Sequence, residues 1–126
     1  MTADVRLVPL CTLDDIDDPG SRGFDVDTGE PQPLRLFVVR KDQVLAAYHN
    51  SCPHTGAPLE WQPDLFLDLD NSFIQCAIHG ALFRPEDGLC LRGPCAGDSL
   101  RPLTLDVDKG EIRLVLREAQ AGEREA

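Results

Sequence analysis

The sequence predicts an all-β protein assembled from antiparallel hairpins, and three observations support it. Two apolar, β-compatible runs, LRLFVVR (34–40) and VLAAY (44–48), are separated only by the polar triplet KDQ. Near the C-terminus Leu103, Leu105 and Val107 alternate with polar residues, and after DKG the alternation resumes at Ile112, Leu114 and Leu116. That pattern describes a hairpin with one buried face. Between these hairpins, LFLDLD (65–70) and SFIQCAI (72–78) are joined by a short Asp-Asn turn.

The remaining segments follow in order. DDIDDPGSRGFDVDTGEPQP (14–33) is dense in turn residues and acid, and is expected to be a strand-poor loop region. RPEDG (84–88) places Pro85 at a favoured second turn position and Gly88 where a positive φ is often required. LCL (89–91) is a short strand candidate before RGPCAGD. The tail REAQAGEREA (117–126) has helical propensity but no apolar face and is expected to fray. No repeat or linker divides the chain, so residues 1–126 are taken as one domain with its core over about 34–116.

A chain of 126 residues is long enough to bury a core without disulfide support. Twelve basic against 22 acidic residues give a net charge of −10, with no basic stripe, which excludes nucleic acid as an expected partner. A protein partner with a basic face suits that charge better. No apolar run approaches the roughly 20 residues that cross a bilayer. MTADVRLVPL lacks the plan of a signal peptide, so a cytoplasmic location and no membrane association are expected. Five cysteines, Cys11, Cys52, Cys76, Cys90 and Cys95, are an odd number that argues for metal or redox use of some of them.

Four residues stand out by spacing. Cys52-x-His54 is followed by 21 intervening residues and then by Cys76-x-x-His79. Each pair follows a predicted strand and runs into a glycine-containing turn, so antiparallel strands can carry both loops to one end of a sheet. Two thiolates and two imidazoles allow a tetrahedral zinc site, or a [2Fe–2S] centre in which two His replace two Cys on one iron. Zinc modules usually donate like ligands from each knuckle, whereas here each loop donates one of each kind. The mixed arrangement favours the two-iron centre.

CPHTG (52–56) and CAIHG (76–80), supported by GPC (93–95), resemble the Rieske-type [2Fe–2S] proteins, over roughly residues 34–116. The 21-residue spacer is somewhat longer than the family norm, and the surplus is assigned to an extended connection around EWQPDLFLDLD (60–70). The resemblance implies a Rieske-like antiparallel β-sandwich with a small cluster-binding subdomain, carrying one [2Fe–2S] cluster per chain. It implies that Cys52 and Cys76 bind one iron and His54 and His79 the other. The imidazole-bound iron, electron-poorer than the thiolate-bound one, then accepts the electron. Gly56 and Gly80 would admit close backbone approach to the sulfides, and Pro94 would lie in a loop over the cluster.

Two departures separate this chain from the quinol-oxidising members of that family. Ala57 and Ile78 occupy the positions where those proteins carry an additional disulfide. Ala81 and Phe83 stand where they carry hydroxyls bonded to cluster or cysteine sulfur. Fewer hydrogen bonds to sulfur leave the reduced cluster less stabilised, so a low potential is expected.

The function implied is a low-potential ferredoxin passing single electrons from a flavin-dependent reductase to an oxygenase or related oxidoreductase. It is not expected to be an enzyme by itself, because no nucleophile–base pair, phosphate loop or mononuclear iron site is visible. One alternative is the Rieske-like small subunit of a larger oxidoreductase such as nitrite reductase. Another, of a different class, is a zinc-stabilised binding module. Cys90 and Cys95 are expected to be reduced thiols packing the Pro94 loop, and Cys11 to be structural. His49 is expected at the surface or behind the ligands, and Trp61 either shields the cluster or fills the core. Asp14, Asp15, Asp17 and Asp18 form either a reductase-docking patch or a solvated loop.

Overall fold

The computed structural model describes residues 5–51, 59, 64–68, 70–76, 80–93 and 96–117. The strands described are β1 (Val5–Thr12), β2 (Gly20–Val26), β3 (Leu34–Lys41), β4 (Val44–His49) and β5 (Ile74–Gln75). They continue with β6 (Leu82–Phe83), β7 (Cys90–Arg92), β8 (Pro102–Leu103), β9 (Leu105–Asp108) and β10 (Glu111–Arg117). A single 3-10 turn, Leu13–Asp15, follows β1. Three antiparallel sheets result, ordered β1-β10-β9, β2-β3-β4-β8 and β5-β6-β7.

The LFVV segment of β3 explains the layering. Leu36, Phe37, Val38 and Val39 are all buried, because the four-stranded sheet is covered on both faces. Leu36, Val38 and Ala47 pack with Ile16, Val26, Ile112 and Leu114 against the outer sheet. Phe37, Val39 and Tyr48, on the opposite face, pack with Leu59, Phe66, Ile74, Cys76, Ala81, Phe83, Cys90 and Leu100. The molecule is thus a β-sandwich with a third, small sheet laid on the free face of its central sheet.

Both predicted hairpins form. The β3–β4 turn is Asp42-Gln43, with φ of 53° and 69°, and the β9–β10 turn is Lys109-Gly110, with φ of 54° and 84°. Two-residue turns with both φ positive match the twist of the strands they join. Asp42 and Gln43 are not glycines, and left-handed backbone costs such residues free energy. The Asp18 carboxylate offsets that cost by accepting the Asp42 and Gln43 amides at 2.8 and 2.9 Å. Asp15 likewise accepts the Thr12 amide at 2.9 Å. Two members of the acidic patch therefore hold local backbone.

The region 14–33, expected to be strand-poor, contains β2, and β1 precedes it. GSRGFDV has little apolar content, but every residue from Gly20 to Val26 pairs in register with β3. β1 carries Pro9, which has no N–H to donate, and lies at the edge of its sheet with a register irregularity between Pro9 and Cys11. The C-terminal alternation is shared between two sheets. Leu103 lies in β8 beside β4, whereas Leu105 and Val107 lie in β9 beside β10. Thr104, between them, accepts the Val115 amide at 3.0 Å. Val107 shares a face with Ile112 but is exposed at the sheet edge. The Asp-Asn turn after LFLDLD is present, with Leu67 bridged to Ile74 and the Asp68 carboxylate accepting the Ser72 amide at 2.9 Å. The tail 118–126 lies outside the described residues.

Candidate metal centre

Three loops, following β4, β5 and β7, have described anchors in the core between the central and small sheets. The first follows β4. Asn50 donates its amide to the Arg35 carbonyl at 2.9 Å, and its side-chain oxygen accepts the Leu59 amide at 2.8 Å. Leu59 is fully buried in the core. One residue thereby ties both ends of the 51–59 segment, the sort of side chain-to-backbone closure that Asn favours where a strand gives way to a loop.

The second loop follows β5 and begins at Cys76, which has no exposed surface. It closes tightly: the Gly80 amide donates to the Cys76 carbonyl, and the Cys76 amide to the Ala81 carbonyl, both at 2.9 Å. Gly80 sits at φ 70°, and a Cβ there would meet nothing within 4 Å among the described residues. Within that set, glycine is required at this position for its conformation.

The third loop follows β7. The Gly97 amide donates to the Cys90 carbonyl at 3.1 Å, and the Cys90 amide to the Asp98 carbonyl at 2.8 Å. Gly93, at φ 110°, lies so close to the second loop that a Cβ would sit 2.8 Å from Ala81 Cα. Leu59, Cys76, Ala81 and Cys90 belong to one buried cluster. An anchor of each loop is therefore fixed by the same core.

Of the residues singled out by spacing, the structure places Cys76 and Gly80 in the second loop. Cys52, His54, Gly56, His79, Pro94 and Cys95 lie outside the described residues, as do Ala57, Trp61 and Ile78. Among the described residues no three His, Cys, Asp or Glu side chains gather into a metal-holding group. The part of the site that is described suits an iron–sulfur cofactor in its donor chemistry. A buried thiol outside any disulfide opens a short, doubly closed loop, and thiolate is the donor such clusters take.

The surroundings are apolar where hydroxyls were looked for. Ala81 and Phe83 are both fully buried. Cys90 is a buried thiol that donates to the Arg92 carbonyl at 3.3 Å and joins no disulfide. Cys11 is half-buried against the other core, and burial raises its pKa. His49 stands at the mouth of the first loop, where burial first, and then the Arg101 charge, hold its imidazole pKa below the usual value.

Sequence reasoning did not single out Asn50 or the buried Tyr48, whose hydroxyl donates to the Pro85 carbonyl at 2.8 Å. Their partners lie 9 and 37 residues away, so the only sequence signal was a polar group beside an apolar strand. Asp64 reaches β2, accepting the Gly23 amide at 2.8 Å through its side chain and the Ser21 hydroxyl at 2.7 Å through its carbonyl. Phe66 then stacks on Phe37 with ring centroids 4.3 Å apart.

An antiparallel sandwich with a small third sheet, one of whose strands leads into a loop opened by a buried thiol, places the protein in the all-β class. The sequence matches the Rieske [2Fe-2S] domain over residues 6–113, and the chain belongs to that family. Its cofactor is accordingly a [2Fe–2S] cluster rather than zinc. Among solved structures it is similar to the ferredoxin of carbazole 1,9a-dioxygenase from Nocardioides aromaticivorans IC177. That likeness has 27% identity and a TM-score of 0.67, and covers 86% of this chain and 95% of the ferredoxin. A chain from a complex of reduced oxygenase and oxidized ferredoxin in carbazole 1,9a-dioxygenase matches at 23% identity and TM-score 0.69, covering 90% of this chain and 97% of that one. The terminal oxygenase of carbazole 1,9a-dioxygenase from Novosphingobium sp. KA1 shares the fold at 17% identity and TM-score 0.69; 91% of this chain is covered but 31% of the oxygenase. No curated protein sequence matches the chain. Among the described residues no helix is long and apolar enough to cross a membrane.

Proposed function

We propose that this chain is a low-potential Rieske ferredoxin that takes single electrons from a flavin-dependent reductase and passes them to an oxygenase. The observation that carries the reading is the correspondence with the Nocardioides ferredoxin, over 86% of this chain and 95% of that one. The shared part is the cluster module. In this reading the protein is a carrier and not a catalyst alone, acts in the cytoplasm, and forms one domain over residues 1–126.

Cys52 and Cys76 would hold one iron and His54 and His79 the other, with Gly56, Gly80 and Pro94 in the loops around them. The cluster supplies one-electron capacity when bound. The chain supplies position: buried Cys76 and the loop bonds at Gly80 and Ala81 set one thiolate, and the Asn50–Leu59 bond closes the loop that bears the other. Ala81 and Phe83 exclude water and offer sulfur no hydroxyl, which supports a potential toward the low end of the Rieske range of about −150 to +300 mV. The net charge of −10 also disfavours adding an electron.

The test is direct. Purified protein should be red-brown, with two irons and two sulfides per chain, and a redox titration should place the midpoint below zero. A colourless, zinc-loaded protein would refute the cluster, and a midpoint well above zero would refute the low-potential assignment. Reduction by a flavin-dependent reductase, followed by oxidation on mixing with a terminal oxygenase, tests the direction of electron flow.

A further inference from the structure

We infer that Asn50 is the positioning residue of the first cluster loop, tying together the two ends of the stretch that carries Cys52 and His54. The inference rests on the ligand assignment above and deepens it. Asn50 is the last residue before the loop to be fixed on the central sheet, through its amide bond to the Arg35 carbonyl at 2.9 Å. Its side-chain oxygen reaches across the loop mouth to the Leu59 amide at 2.8 Å. Leu59 is held by its buried side chain and by this bond.

The second loop is closed differently, by backbone bonds between Cys76 and both Gly80 and Ala81. A backbone closure survives any side-chain substitution. Among the described residues the two ends of the first loop are joined through one amide oxygen, which a single substitution removes. Without that oxygen, the Leu59 N–H, on a fully buried residue, loses this acceptor. Two iron ligands from this loop must meet two from another, so added freedom at its mouth appears first in the geometry and retention of the cluster.

The experiment uses the holoprotein and two variants, Asn50→Ala and Asn50→Asp. Aspartate keeps an oxygen at the position of the amide oxygen and can accept the same N–H. Cluster release to an iron chelator and the EPR line positions of the dithionite-reduced protein are read on all three. Asn50→Ala should release its cluster roughly tenfold faster, the worth of one such hydrogen bond, with shifted EPR lines. Asn50→Asp should return both toward wild type. The inference is overturned if Asn50→Ala matches wild type in both readouts, or if Asn50→Asp is as defective as Asn50→Ala. A general loss of stability does not move the EPR lines of clusters that remain, so unshifted lines in Asn50→Ala also overturn it. Should Asn50→Ala hold no cluster, Asn50→Ser, whose oxygen stands one bond shorter, replaces it; an intermediate release rate supports the inference and a wild-type rate overturns it. A colourless wild-type protein overturns the cluster reading itself, and is seen before any variant is made.

Discussion

Replacing Tyr48 with phenylalanine removes one oxygen from the junction between the central sheet and the small one. The Tyr48 hydroxyl donates to the Pro85 carbonyl at 2.8 Å, and the side chain is buried between β4 and the 84–88 turn. The ring would stay, tilted against Phe37 with centroids 5.8 Å apart, so little packing is lost. The deficit comes from the Pro85 carbonyl, left buried without this donor, which costs about 1–3 kcal/mol. At roughly 3–6 °C per kcal/mol for a domain of this size, Tyr48→Phe should lower Tm by about 3–18 °C.

Far-UV circular dichroism melts of the two proteins at equal cluster content provide the measurement, because a bound cofactor adds its own stabilisation to each. A pH series sharpens it. Burial first, and then Asp87 and Glu86, raise the Tyr48 pKa above its usual value of 10.0. The folded state therefore favours the protonated phenol, and the difference between wild type and variant should be constant below about pH 9. Above about pH 10 the unfolded tyrosine ionises, wild type alone loses stability, and the gap narrows. A Tm change under about 2 °C, or a gap that widens at high pH, would refute the reasoning.

Gln43→Gly should stabilise the protein by about 0.5–1 kcal/mol in urea unfolding, since φ 69° costs glutamine what glycine does not pay and Asp-Gly is the preferred turn pair. Gly93→Ala should lower Tm much more than Gly97→Ala, because both carry positive φ but only the former would press a Cβ to within 2.8 Å of Ala81. Arg84 and then the Leu89 amide lower the Asp87 pKa from 3.8 to about 2. A depressed carboxylate stabilises the fold above its unfolded pKa and less as pH falls, so Asp87→Asn should flatten the loss of Tm between about pH 4 and pH 2.

What the sequence reveals here follows from the range over which each signal acts. The 34–48 and 105–116 hairpins are legible because pattern and turn lie within a few residues of each other. β2 is not, because its Gly, Ser and Asp residues carry no strand pattern of their own and its pairing is supplied by β3. β1 is hidden by Pro9, which its edge position tolerates. The two Cys-His pairs were visible as spacing, and the family match agrees with the cofactor they suggested. The struts that close the loops were not visible. Asn50 to Leu59, Gly93 against Ala81 and Tyr48 to Pro85 are relations of the folded chain, and no local pattern encodes them.

The three-layer arrangement also predicts which perturbations reach the metal centre. β3 and β4 turn one face to each core, and the described loop anchors Leu59, Cys76, Ala81 and Cys90 all lie in one of them. Leu114, fully buried, lies in the other core with Ile112, Leu36 and Val38. Leu114→Ala should therefore lower stability by about 2–5 kcal/mol, the range for a leucine truncated in a core. At temperatures where the variant stays folded, its redox midpoint should match wild type, because none of the described residues of that core lies in the loops proposed to bear the cluster. Ile74→Ala, directly before the β5 residue that leads into Cys76, should lower stability by a similar amount and shift the midpoint as well. If Leu114→Ala moves the midpoint as far as Ile74→Ala does, the central sheet transmits strain between its faces and the separation argued from the two cores is wrong.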